Sequence, residues 1–354
     1  MNSKVAVVGT VGLPACYGGF ESLVENLVRY NKSNTEYTVF CSGKYYKNKV
    51  DKYLGANLLY VPMNANGISS IGYDIRCLII CLRQKFDAIL ILGVSGCIFL
   101  PIFKIFSNAK IITNIDGLEW RRDKWGRLAK WFLKLSEKIA IKYSDIIISD
   151  NEAIGEYVLK EYGVKSEVIA YGGDHAINAI ENKTHKMAND FYLSLCRIEP
   201  ENNVHIILDV FSKTQKKLKF IGNWSRNEYG LNLKKKYSDY SNIELLDPIY
   251  DLDILYSYRS QCVAYIHGHS AGGTNPSLVE AMHFGKNIIA FDCDFNRYTT
   301  ENSAIYFSDT DTLSLILSSM DNLSNGSYMK GLALRKYTWE TISSQYHKLF
   351  NFDN

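Results

Sequence analysis

Short apolar runs alternate with amphipathic stretches from one end of the chain to the other. The runs at 5–8, 37–41, 58–61, 89–92, 111–114 and 146–149 are four or five residues long and rich in Val and Ile, which reads as buried strands. The stretches between them repeat apolar residues at helical spacing, as at Leu23, Val24, Leu27 and Val28. The same rhythm restarts with runs at 191–195, 219–221, 243–245, 263–266 and 288–291. A polar stretch over 178–189 separates the two series, so the connection between two domains is expected near 172–190. Alternating strand and helix is the α/β signature, and two series predict two doubly wound, Rossmann-like domains facing a cleft. The expected boundaries are 1–173 for the first domain, completed by 338–354, and 174–337 for the second. The uncharged stretch 88–103 contains Gly93, Gly96 and Pro101, and it reads as strand, turn and helix rather than a bilayer span.

Two glycine-rich turns stand between a strand and a helix. One holds Gly9, Gly12, Gly18 and Gly19. The other holds Gly272, Gly273, Thr274 and Asn275 and leads into a helix bearing Glu280. Backbone N–H groups in such a turn suit a diphosphate, and a carboxylate one to two turns into the helix can accept hydroxyls from a ribose or sugar. The pairing suggests a nucleotide-sugar. Such turns are also ordinary α/β connections, but two of them far apart in sequence argue against coincidence.

The net charge of +3 gives no case for nucleic acid as a partner. Eight cysteines without Cys-x-x-Cys spacing, several inside apolar runs, read as reduced core residues of a cytosolic protein. The polar start before the first strand leaves no room for a signal peptide. His267 and His269 lack a third ligand at a useful spacing, so hydrogen-bonded loop histidines are expected rather than a metal site. Asp-x-Asp occurs at Asp292, Asp251 and Asp309 alike and discriminates nothing; Asp292 is expected to end a strand beside the site. No Gly-x-Gly-x-x-Gly follows the first strand, and the Tyr45 and Lys49 pair lies in a polar loop, which weakens dehydrogenase and epimerase readings.

Five stretches together resemble retaining glycosyltransferases of family 4 with the GT-B fold, most closely the bacterial rhamnosyltransferases that build polysaccharide repeat units. They are GTVGLPACYGGFE at 9–21, NIDGLEWRR at 114–122, RIEPENN at 197–203, GGTNPSLVE at 272–280 and YTWE at 337–340. The resemblance covers nearly the whole chain. It implies a C-terminal helix that crosses back to the N-terminal domain, an N-terminal domain for the acceptor and a C-terminal domain for the donor. It also implies transfer of a sugar, with L-rhamnose from dTDP-rhamnose foremost and UDP- or GDP-sugars as alternatives. The acceptor would be a lipid-diphosphate-linked saccharide in O-antigen or capsule assembly. A non-catalytic nucleotide-sugar-binding protein is the other reading.

By the same resemblance, Gly18, Gly19, Arg197, Asn203, Gly272, Gly273, Thr274, Asn275 and Glu280 would hold the donor, with Arg197 the main cation on the leaving diphosphate. Asp116 and Glu119, with Arg197, are the candidate catalytic residues, and Glu21, Arg121 and Arg122 the acceptor contacts. Asp116 could instead cap a helix, and Glu119 could pair with Arg121 or Arg122. Two departures stand out: Gly272 occupies the position of a sugar-contacting glutamate, and Asn202 and Asn203 stand where a phosphate-binding lysine is usual. Asn275 is a candidate substitute for the missing acid. No metal or other cofactor and no protein nucleophile is expected, since the donor phosphate itself would help to take the acceptor proton. The segment from Lys124 to Lys142 sets cations at helical spacing beside Trp125, Trp131 and Phe132, which suits the cytoplasmic face of an anionic inner membrane. Otherwise it is an ordinary helix with Leu128, Leu135 and Ile139 in the core.

Overall fold

The computed structural model describes residues 3–16, 18–32, 35–115, 117–118, 120, 126–178, 189–320 and 324–350. The chain forms two compact units, one of residues up to Ala170 plus Trp339 onward, the other Tyr171–Thr338. The first boundary falls three residues before the expected 173 because Gly173 belongs to the second unit: its N–H bonds Tyr337 O at 2.8 Å, and its Cα lies so close to Val279 and Glu280 that a Cβ would meet their backbone within 2.8 Å.

The first unit runs β1 (Lys4–Val8), α1 (Gly19–Arg29), β2 (Glu36–Ser42), β3 (Lys52–Tyr53), β4 (Ala56–Val61), α2 (Ser69–Arg83), β5 (Ala88–Leu92), α3 (Leu100–Phe106), β6 (Lys110–Asn114), α4 (Arg127–Tyr143), β7 (Ile146–Ser149), α5 (Glu152–Tyr162) and β8 (Glu167–Val168). Its sheet has the order β3-β4-β2-β1-β5-β6-β7-β8, parallel except for the β3 edge. All five residues of β5 are buried, as a central parallel strand covered on both faces requires. Gly9 ends β1 with φ +91°, and a Cβ there would lie 2.1 Å from Leu92 O, so only glycine lets the chain turn beside β5.

The second unit runs β9 (Phe191–Leu195), α6 (Val204–Phe211), β10 (Lys217–Ile221), α7 (Glu228–Tyr237), β11 (Ile243–Leu246), α8 (Leu252–Gln261), β12 (Ala264–His267), α9 (Pro276–Met282), β13 (Asn287–Phe291), α10 (Asp294–Thr299), β14 (Ile305–Phe307), α11 (Thr310–Ser318) and α12 (Gly326–Lys336). The all-parallel order β11-β10-β9-β12-β13-β14 is the doubly wound arrangement, with the reversal between β9 and β12. Phe211, Phe220 and Trp224 are fully buried in its core.

The last helix, α13 (Trp339–Phe350), returns to the first unit and packs on α1. Phe350 meets Tyr37 edge-on at 6.0 Å, and Ser343 Oγ donates to Tyr30 O at 3.3 Å. Right-handed crossovers put α2, α3, α4 and α5 on the opposite face of the sheet. There α4 turns a different side inward from the one that the core-packing alternative requires. Leu133, Ser136, Glu137, Ala140 and Ile141 are buried, whereas Leu128 is 85 % exposed and Leu135 and Ile139 only half-buried. Among the described residues no helix is long and apolar enough to cross a membrane.

Candidate functional site

In the second unit, Arg197 follows β9 and the 268–275 loop follows β12, the two strands at which the sheet order reverses. Of the two asparagines that replace the expected lysine, Asn202 braces its own loop and Asn203 ties the two loops together. Asn202 Nδ2 donates to Arg197 O at 2.7 Å, and Asn203 Nδ2 donates to Gly268 O at 2.9 Å. Ser270 adds bonds from its N–H and hydroxyl to Glu201 O at 3.0 and 2.8 Å. The Asn203 amide is therefore a brace between loops where a donor contact was expected. The Arg197 side chain is 41 % exposed, with Glu199 no nearer than 4.0 Å.

Asn275 caps α9: its Oδ1 accepts from Ser277 N at 3.0 Å and from Ser277 Oγ at 2.7 Å. Its acceptor oxygen is thus committed to the helix rather than to a sugar, which corrects its reading as a stand-in acid. Gly272 has φ +121° and open space where a Cβ would be, so its backbone angle and not crowding selects glycine. Thr274 is buried beside it.

Glu280 has partners that sequence reasoning missed. Its Oε2 pairs with Nη2 of Arg259, a buried residue on α8, and its Oε1 lies 3.3 Å from Nε2 of His175. Burial works to raise the Glu280 pKa, but the Arg259 charge and then His175 outweigh it and hold the carboxyl below its ordinary value. A signal was present: Arg259 lies four residues after Leu255, on the buried side of α8. Asp292 follows β13 as expected and is clamped by Arg297 at 2.6 and 2.8 Å.

His267 and His269 stack with ring centroids 4.3 Å apart and 14° between planes. Neither ring nitrogen of the buried His267 has a hydrogen-bond partner, contrary to expectation, and burial pushes its pKa down to about 3. Among the described residues no three His, Cys, Asp or Glu side chains group as a metal site would require. The unfolded imidazole takes up a proton near pH 6.5 while the folded one does not, so stability is lost as pH falls below that value. At pH 5 this costs about 2 kcal/mol. His267→Phe is expected to remove that share of the loss between pH 7.5 and 5, read by urea unfolding at both values; an unaltered pH dependence would contradict the neutral buried imidazole.

In the first unit, the loop after β1 is held by its own helix. Glu21 is buried, and its Oε1 accepts from Thr10 Oγ1 at 2.9 Å and Val11 N at 2.7 Å. It braces the loop, with Glu25 Oε2 accepting from Ala15 N at 2.7 Å, in place of the acceptor contact expected of Glu21. Gly18 precedes α1 with φ 112°, and Gly19 is its first residue.

Asp116, Glu119, Arg121 and Arg122 lie outside the described residues, as do Lys124 and Trp125. The residues that flank them are anchored. Asn114 Nδ2, at the end of β6, donates to Tyr346 OH of α13 at 3.0 Å. Trp120 Nε1 donates to Glu137 Oε2 of α4 at 3.1 Å. Glu137 Oε1 also accepts from Tyr157 and Tyr162 at 2.7 and 2.6 Å, while Lys134 Nζ lies 4.6 Å from the Trp120 ring centroid. The inner side of α4 is thus occupied in holding Trp120.

Residues 177–311 match the family described as Glycosyl transferases group 1. The match lies within the second unit. Residues 2–174 match a domain of unknown function, DUF1972. No curated protein matches the chain by sequence. Similar solved structures include sucrose-phosphate synthase from Thermosynechococcus elongatus, with TM-score 0.81 and 12 % identity over 99 % of this chain and 98 % of that one. A glycosyltransferase from Rickettsia africae gives 0.74 and 12 % over 99 % and 98 %. Anabaena Alr3699/HepE, solved with UDP and glucose, gives 0.75 and 14 % over 98 % and 99 %. At these identities the likeness concerns the fold, which is GT-B. Fold and family match together support a GT-B glycosyltransferase.

Proposed function

We propose that the chain is a metal-independent, retaining glycosyltransferase whose second unit binds a nucleotide-sugar and whose first unit binds the acceptor. The observation that carries this reading is the arrangement at the β9–β12 reversal. Two loops bonded to each other present an exposed arginine, and an ion-paired carboxylate stands on the following helix. Arg197 faces the leaving diphosphate and neutralises the charge that grows as the anomeric C–O bond breaks, with amides of Gly272, Gly273 and Thr274 assisting. The acceptor oxygen bonds to the anomeric carbon, and its proton passes to the departing phosphate. Glu280 accepts hydroxyls of the ribose or sugar. Asp116 and Glu119 are the candidate catalytic acids and Arg121 and Arg122 the candidate acceptor contacts. Glu21, Asn203 and Asn275 act by positioning.

The donor is dTDP-L-rhamnose, with other nucleoside-diphosphate sugars next; similar folds have been solved with UDP and UDP-glucose. The acceptor is a lipid-diphosphate-linked saccharide of bacterial surface polysaccharide, met at the inner face of the cytoplasmic membrane. A panel of nucleotide-sugars tested for thermal stabilisation, followed by transfer in the presence of EDTA, checks the proposal. At a hundred times its dissociation constant a bound donor adds about 2.7 kcal/mol. Stabilisation by dTDP-rhamnose and EDTA-resistant turnover are expected. Stabilisation without turnover on any lipid-linked acceptor would favour the non-catalytic binding reading, and no stabilisation by any nucleotide-sugar would sink the transferase.

A further inference from the structure

The outer face of α3 and α4 is built unlike the rest of the first unit. On α4, Leu128 is 85 % and Trp131 65 % exposed; on the neighbouring α3, Ile105 is 74 % and Phe106 70 % exposed. Lys104 of α3 bonds Asp145, two residues past the end of α4, at 2.7 Å, so Ile105 and Phe106 flank the C-terminal end of α4. Leu128 and Trp131 mark its other end. The 17 residues of α4 separate the two apolar clusters by about 25 Å. Half-buried Leu135 and Ile139 continue the stripe between them at spacings of three and four residues.

Apart from Asp145, whose charge is paired with Lys104, the exposed charges on this face are cations. The single acid of α4, Glu137, is buried against Trp120, Tyr157 and Tyr162, and α3 has none. Arg127, Lys138 and Lys142 are exposed along α4. We propose that this face is a docking surface for an anionic lipid bilayer, with α4 lying along the surface and both apolar clusters entering it. A helix with exposed Leu and Trp beside cations and no exposed acid matches the chemistry of a negatively charged interface. A second copy of the chain fits less well, because a two-fold contact would set these cations against themselves. The proposal deepens and rests on the reading of a lipid-linked acceptor, since the inner side of the same helix holds Trp120 within the segment that carries Asp116 and Glu119.

The test uses the full chain, sedimented with phosphatidylcholine vesicles and with vesicles containing phosphatidylglycerol, at low and high salt. Salt-sensitive binding to the anionic vesicles is expected, falling about tenfold in Ile105→Ser/Phe106→Ser and again in Leu128→Ser/Trp131→Ser. All four positions are exposed, so both variants should keep the thermal stability of the parent. Salt-independent or equal partitioning would overturn the proposal, as would vesicle binding that both variants retain, or a dimer by light scattering that the variants dissolve without any vesicle binding. Stabilisation by nucleotide-sugars in the same preparations reports on the transferase reading separately: its loss with vesicle binding intact sinks that reading and leaves the surface standing.

Discussion

Arg197→Ala is expected to lower the rate of sugar transfer about a hundredfold or more while leaving the fold unchanged. The magnitude is that of removing one charge partner from a transition state in which a diphosphate departs. The fold should tolerate the change because the guanidinium is substantially exposed and its nearest acid, Glu199, is 4.0 Å away. The local backbone is held by Asn202, which bonds the Arg197 carbonyl and not its side chain. A loss of kcat with an unchanged melting temperature would therefore report chemistry rather than folding. Arg197→Lys should recover part of the rate, since a point charge replaces a planar donor pair. Unchanged transfer in Arg197→Ala would remove this residue from the diphosphate.

Much of this site was legible from spacing alone. The strands that carry it have apolar runs bounded by glycine or polar residues, and β5, β9, β12 and β13 fall within a residue or two of where the runs place them. Short edge strands were not legible. β3 and β8 are two residues long and β14 three, too few to show a period, and pairing with a longer neighbour creates them. Side-chain partners were hidden for a different reason. Nothing in the spacing of Glu280 and Arg259, 21 residues apart on separate helices, reveals that a parallel sheet sets α8 and α9 side by side. The bracing bonds of Glu21, Asn203 and Asn275 were hidden as well. Each looked like a polar group waiting for a ligand, and each is engaged with backbone, because a tight turn leaves N–H and C=O groups that must be satisfied locally. On α4 the inward side carries an acid, Glu137, and not the Leu128, Leu135 and Ile139 stripe of the core-packing alternative.

Glu280→Ala should affect stability as strongly as donor binding, which follows from Arg259. The guanidinium is only 3 % exposed, its Nε already has no hydrogen-bond partner, and Glu280 is its ion pair. Removing the carboxylate strands a buried charge, at a cost of about 3–5 kcal/mol. Arg259→Met should cost a similar amount by leaving Glu280 with His175 alone. The double variant Arg259→Met/Glu280→Leu is expected to be more stable than either single one, because apolar side chains replacing a whole buried pair are often neutral or better. Donor binding should not return with it, since no carboxylate remains to accept the hydroxyls. Urea unfolding and titration with the nucleotide-sugar that stabilises the parent separate the two effects. Acid adds a check with a definite sign. The Glu280 carboxyl is held below its ordinary 4.5 in the folded protein, so its contribution is intact above that value and is lost as pH falls through the lower folded value. Glu280→Gln should lack that part of the acid transition. If the double variant bound donor like the parent, Glu280 would be a structural ion-pair partner and the hydroxyl-accepting role would fall to another residue.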